Sequence, residues 1–340
     1  MNSKKISSLE LGRLIAMLAI IAIHSQLFMK APLINDQPII GELINQGARF
    51  AVPLFFLISG YLIAPKLLNS PFSTFKQYSI PLFKIWIVWS LISLATPFNM
   101  GKVMEHGYIA ERTGYFNYLM MKPLNSVMEG GLVHLWFLPA LIIAVGIIAV
   151  LVHFKQLKLL LPLSILLYLY GVLAGSYQPL TELSSPFFTR NGPFFSTLMV
   201  TLGFIIRKHN IKISFSKGLV IMLVGMGLHF YEALSLVQDN IAFVIHDFLF
   251  GTLLWGLGLF IMLLAKPNWG NRTWVYQLSA NILGVYVIHL IIIILMKNVV
   301  GILQFSPIIA DITVFTFTII LSWFIVNLIN NSQLRRWLLR

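Results

Sequence analysis

The chain has no cysteine, and only 11 of its 340 residues are acidic. The first absence excludes disulfide frameworks, thiolate nucleophiles and cysteine-ligated zinc. The second leaves few carboxylates for paired acid–base chemistry. Charged residues of both signs make up only 10% of the chain, against about 25% in soluble domains. No large hydrophilic block, internal repeat or low-complexity tract is visible, so length here counts membrane spans rather than soluble domains.

What is present is apolar. Hydrophobic residues form 58% of the sequence, and the mean hydropathy is +0.85. These values predict an all-α, polytopic membrane helical bundle in one domain over residues 1–340. The net charge is +13, yet the basic residues punctuate apolar runs instead of forming a stripe. They read as topology signals, with membrane lipids and not nucleic acid as the surroundings. Lys4 and Lys5 precede the first run as in a signal peptide, but the run is longer than an h-region and no small-x-small cleavage site follows, so it is predicted to be retained.

Apolar windows predict about ten transmembrane helices, near 9–29, 50–67, 79–97, 132–152, 159–175, 193–207, 217–236, 241–265, 277–297 and 306–329. With both termini on one side, that side collects 17 cations and one acid, Glu10. The other side collects 7 cations and 10 acids. The positive-inside bias therefore predicts that both termini are cytoplasmic.

Polar residues inside the apolar runs carry the functional signal. "LGRLIAMLAIIAIHSQ" places Arg13 and His24 eleven residues apart, about 20° from alignment and about 16.5 Å apart along a helix. Because an intramembrane charge costs roughly 2.5–3.5 kcal/mol on insertion scales, such groups turn toward a bundle interior or a wet cavity. A snorkelling arginine with a packing histidine is the plainer alternative from this helix alone. His134 in "GGLVHLWFLPAL" and His289 in "ILGVYVIHLIII" fall at similar depth to His24 in the outer half, which predicts a shared cavity. Three histidines also match a His₃ zinc site in number, but no spacing in the sequence fixes their separation, and no metal is expected. Ser59 in "FFLISGY" lacks a nucleophile-elbow context. His106, His153 and His209 read as loop residues. His229 reads as structural, and His246-Asp247 as outside any site.

These motifs, in this order, resemble the acyltransferase-3 family of integral-membrane proteins. "LELGRLIA…AIH", "VPLFFLISGYLI", "HLWFLPALI", "RNGPFFSTLMVTLGFIIRK" and "LGVYVIHLIII" each look like a family segment, covering residues 9–297. The chain departs from the family in having Leu14 where a glycine is common. It has only Lys76 and Lys84 around Pro81 where an arginine-rich loop is usual.

The resemblance implies a bacterial inner-membrane O-acyltransferase, here expected without a C-terminal extracytoplasmic domain. It would move an acyl group, acetyl first, from cytoplasmic acyl-CoA to a hydroxyl of a cell-surface glycan or its lipid-linked precursor. Acetyl-CoA is then a co-substrate, and no tightly bound cofactor is implied. Arg13, Lys76 and Lys84 are the candidates for the acyl-CoA end. His24, Arg13, His134 and His289 are the candidate catalytic set, with His24 either the general base or the group that carries the acyl. Ser59, Trp136 and Tyr286 are candidates for holding the acceptor. The segment 98–131, with Tyr108, Arg112, Tyr115 and Tyr118, is the expected source of selectivity. A carrier or flippase for a glycan intermediate or small solute is the alternative that a polar cleft among ten helices leaves open.

Overall fold

Pro71, Pro123, Pro193 and Pro307 each open a helix, the position where a fixed φ and a missing N–H cost nothing. The structure, a computed structural model, describes residues 6–339; Lys4, Lys5 and Arg340 of the charge pattern lie outside them. The helices are α1 (Ser7–Ser25), α2 (Ile39–Gly47), α3 (Ala51–Asn69), α4 (Pro71–Ala95), α5 (Met100–Met121), α6 (Pro123–Glu129), α7 (Phe137–His153) and α8 (Leu160–Leu173). They continue as α9 (Gln178–Thr181), α10 (Pro193–Lys208), α11 (Phe215–Val237), α12 (Phe250–Ala265), α13 (Thr273–Ser279), α14 (Ile282–Ile302), α15 (Pro307–Asn330) and α16 (Arg335–Leu338). A 3₁₀ turn, Val133–Trp136, leads into α7. No strand occurs among the described residues.

Each predicted apolar window falls on a helix. Among the described residues, seven helical stretches are long and apolar enough to cross a membrane: Ser7–Ser25, Ile39–Asn69, Pro71–Ala95, Val133–His153, Phe215–Val237, Ile282–Ile302 and Pro307–Asn330. The remaining windows fall on α8, α10 and α12, of 14, 16 and 16 residues. Sixteen residues rise about 24 Å, short of a hydrocarbon core of about 30 Å. The window at 241–265 is shortened because residues 241–249 form a loop that turns back into the protein.

α3 and α10 form the centre of the bundle, with α1, α7 and α12 packed on α3 and with α7 and α8 on α10. The close approach of α3 and α10 has a specific cause. A Cβ at Gly60 would strike the Val200 carbonyl, and one at Gly203 would strike the Leu57 carbonyl. Backbone contact of this kind drives helix association where no hydrophobic gain separates lipid from protein. Gly203→Val is expected to lower the thermal midpoint of the purified protein by the equivalent of at least ~1–3 kcal/mol. Gly301→Val, where a Cβ meets nothing within 4 Å, should leave the midpoint unchanged; equal midpoints for the two variants would refute this account of the packing.

The segment 98–131 is helical rather than a loop, carried by α5 and α6, with Gly107 at φ +84° breaking α5. Arg112 is buried and donates to Glu111 at 2.5 and 2.8 Å and to the carbonyl of Leu94 at 3.2 Å. Its guanidinium also covers the rings of Phe98 and Tyr115. The hydrogen bonds from Arg112 hold the Glu111 carboxyl below its usual range. Tyr108 and Tyr115 donate to the carbonyls of Ala95 and Gly131. These side chains clamp α5 to the end of α4. Tyr108, Arg112, Tyr115 and Tyr118 line neither of the two cavities described below.

Candidate active site

A cavity of about 790 Å³ opens among α1, α3, α4, α7 and α14. At one end it is lined by Arg13, Lys66, Thr74 and Gln77, and at the other by Arg49, Arg190 and Asp247. His24, Ser59, His134, Trp136 and Tyr286 line the stretch between. Arg13 and His24 thus share one cavity, as the helical register requires. Arg13 is fixed by Glu10, one turn earlier on α1, at 3.1 Å. A single N–H of the guanidinium is used in this bond, so the others remain for a bound anion.

The three histidines converge. Ring centroids of His24 and His289 are 5.3 Å apart, those of His134 and His289 5.0 Å, and those of His24 and His134 6.4 Å. His134 Nε2 lies 3.1 Å from the Val287 carbonyl, and His289 Nδ1 lies 2.6 Å from the Tyr286 carbonyl. Carbonyls only accept, so both of these nitrogens carry the proton. His134 Nδ1 and His289 Nε2 are then bare lone pairs, and both are buried without a partner. The rings of His134 and His24 both lie beside His289, with centroids 5.0 and 5.3 Å away, and no hydrogen bond joins the three rings. His289 itself is fully buried and is not among the residues lining the cavity. Among the described residues, no group of three or more His, Asp or Glu side chains is arranged to hold a metal ion.

Several other candidates are constrained by their bonds. The Ser59 hydroxyl donates back to the Phe55 carbonyl at 2.8 Å, and the Tyr286 hydroxyl donates to the His134 carbonyl. Neither proton is free for a developing oxyanion. Trp136 is buried and packs on Phe195, with centroids 6.2 Å apart and planes 30° apart, so its ring is part of the wall. Lys76 and Lys84 are exposed and lie off the cavity. The reason is register: Thr74, Tyr78 and Leu82 line the cavity at the i, i+4, i+8 spacing of one helix face, and each lysine sits two residues, about 200°, from that face. Lys66, at the end of α3, does line the cavity.

Arg49, Arg190 and Asp247 are the polar groups that sequence reasoning did not select. Arg49 and Arg190 grip opposite oxygens of Asp247 at 2.9 and 2.6 Å, and Arg190 also reaches Glu129 at 2.7 Å. Burial alone would raise the Asp247 carboxyl, but the two guanidiniums hold it below its usual range, so it stays ionised. The signal for Arg190 was its place in "TRNGPFF" before α10. Asp247 lies in a loop whose apolar flanks resembled a span. His229 hydrogen-bonds Thr252 at 2.8 Å and Gln46 at 2.9 Å, a structural role.

Comparison with known proteins adds to this geometry. An amino-acid racemase of Enterococcus faecalis is 27% identical over 312 residues, which are 86% of this chain and 42% of that protein. A serine/alanine racemase of Enterococcus gallinarum is 28% identical over 196 residues, 52% of this chain and 26% of that protein. The chain spans less than half the length of these curated relatives. No solved structure matches. A family model described as an acyltransferase domain matches residues 6–327, nearly the whole chain, and includes every candidate side chain described above. The chain belongs to the acyltransferase-3 family.

Proposed function

We propose that this protein is a membrane O-acyltransferase that moves an acyl group, acetyl first, from acyl-CoA to a hydroxyl of a cell-surface glycan or its lipid-linked precursor. The observation that carries the reading is the single cavity lined by Arg13 at one mouth and His24 deeper in. The excess of cations on the Arg13 side makes that mouth the cytoplasmic one, where coenzyme A is found. Arg13 and Lys66 then bind its phosphates by charge-assisted hydrogen bonds, and the pantetheine arm runs inward between α3 and α4. The glycan as acceptor rests on the resemblance between this chain's motifs and those of its family.

His24 acts as the base. A nitrogen of its ring, which lines the cavity, takes the proton of the acceptor hydroxyl as that oxygen attacks the thioester carbonyl. The carbon–oxygen bond forms, the carbon–sulfur bond breaks, and the proton passes from His24 to the departing CoA sulfur. His289, whose ring centroid lies 5.3 Å from that of His24 and whose Nε2 is unpartnered, is the neighbour placed to orient the His24 ring during the reaction, as the third member of a catalytic triad orients its base.

A second reading, a carrier for a small solute, has one observation in its favour: the matched relatives are named for chemistry on amino acids. Membranes containing the protein, incubated with radiolabelled acetyl-CoA, should incorporate label into glycan or lipid-linked sugar. Uptake of radiolabelled serine into proteoliposomes without acetyl-CoA, and no incorporation, would support the carrier instead.

A further inference from the structure

Beyond the reaction cavity lies a second one of about 710 Å³, lined by residues from 121–125, 174–179, 184–190 and 241–248. Two of its lining residues, Arg190 and Asp247, also line the reaction cavity. They lie at the end away from Arg13. The two side chains common to both linings belong to a chain of ion pairs, Arg49–Asp247–Arg190–Glu129, which stands between the spaces beside the stacked rings of Phe195 and Phe248. Within it Asp247 is the most open member, 35% exposed against 12% for Arg49 and 16% for Arg190. An ion pair can be exchanged for hydrogen bonds to an incoming polar molecule, whereas a packed apolar plug cannot.

The second cavity also holds polar groups that the fold leaves unused. His246 is buried in its wall, and neither ring nitrogen has a partner. Burial pushes its imidazole down to about 4, so the ring is neutral and offers one donor and one acceptor. Asn125 accepts through its Oδ1 from the Phe188 N–H and from the Asn191 side chain. Its own amide N–H groups remain without a protein partner. Paired charges with spare neutral donors and acceptors suit a hydroxyl-rich molecule better than a free ion.

We propose that the second cavity is the entry site for the acceptor, a hydroxyl-rich sugar unit, and that the Arg49–Asp247–Arg190 ion pairs are the door between it and His24. The identity of the occupant rests on the acyl-transfer reading; the door does not.

The absence of native cysteine makes the test direct. Ser184→Cys reports on the second cavity and Ile23→Cys on the first. A membrane-impermeant thiol reagent is applied separately to intact cells and to inverted vesicles. From intact cells, Ser184→Cys should label at least about 10-fold faster than Ile23→Cys, and adding Asp247→Asn should speed Ile23→Cys labelling by a similar factor while leaving Ser184→Cys unchanged. Should Asp247→Asn not accumulate, the double variant Asp247→Asn with Arg190→Gln removes both charges while keeping polar side chains and must give the same result.

Equal labelling of the two cysteines in the unaltered door, indifference of Ile23→Cys to the door variants, or labelling of Ser184→Cys only from inverted vesicles would overturn the proposal. In membranes that incorporate acetyl label, bulky modification of Ser184→Cys should cut incorporation about 10-fold; full incorporation removes the acceptor from this cavity. If no label is ever incorporated, the acyl-transfer reading fails by itself, and the labelling ratios still judge the door.

Discussion

Replacing His24 with alanine should lower acyl transfer by about 10²–10⁴-fold, the usual contribution of a positioned general base, while leaving the amount of protein in the membrane unchanged. The second half of this prediction follows from the surroundings of the ring. His24 is only half-buried and borders a cavity, so its removal enlarges an existing space instead of opening a void in packed core. The loss should appear in kcat and not in KM for acyl-CoA, because the base acts at the transition state and the coenzyme is held elsewhere. His289→Ala should lose less, about 10–100-fold, because it only orients the ring that reacts. Equal losses in the two variants would argue that both rings touch substrate. Wild-type turnover by His24→Ala would remove this residue from the chemistry.

The second large effect is expected at the other mouth. Arg13→Ala should raise KM for acyl-CoA by about 10–150-fold, the equivalent of one charge-assisted hydrogen bond at roughly 1.5–3 kcal/mol. Its kcat at saturating acyl-CoA should change little. Arg13→Lys should recover part of the loss, since an ammonium keeps the charge but not the fork of a guanidinium. The buried Glu10 complicates the alanine variant, because losing Arg13 leaves its carboxylate unpaired. The double variant Glu10→Gln with Arg13→Ala separates the two effects: the raised KM should persist, whereas any loss of protein should be relieved. A kcat defect with an unchanged KM would place Arg13 in the chemistry rather than in coenzyme binding.

The parts of the fold set by local pattern were legible in the chain. Apolar windows marked the helices, and 100° per residue sufficed to put Arg13 and His24 on one face of α1. The same arithmetic on α4 would have excluded Lys76 and Lys84, had Thr74, Tyr78 and Leu82 been taken as the inward face; proximity to Pro81 pointed the wrong way. Nothing local could have assembled Arg49, Arg190 and Asp247. They come from three segments separated by 141 and 57 residues, and only the packing of α3, α10 and α12 brings them together. His289 shows the reverse limit. Its depth in the membrane was readable, but whether it faced the cavity or stood behind His24 depended on how α14 rotates against α1. The segment 98–131 read as a loop because its polarity hides the helices α5 and α6, the first held to the end of α4 by Tyr108 and Arg112.

In the proposed mechanism the Arg13 mouth and the His24 chamber form a single passage occupied by acyl-CoA. Photocrosslinking with a CoA thioester bearing a photoreactive acyl group tests it most directly. The adducts should map to the cavity lining beside His24, on the stretches around Ser59 and Phe137, compete away with acetyl-CoA and weaken in Arg13→Ala. Adducts confined to exposed loops, or adducts near His24 that acetyl-CoA does not displace, would contradict the claim.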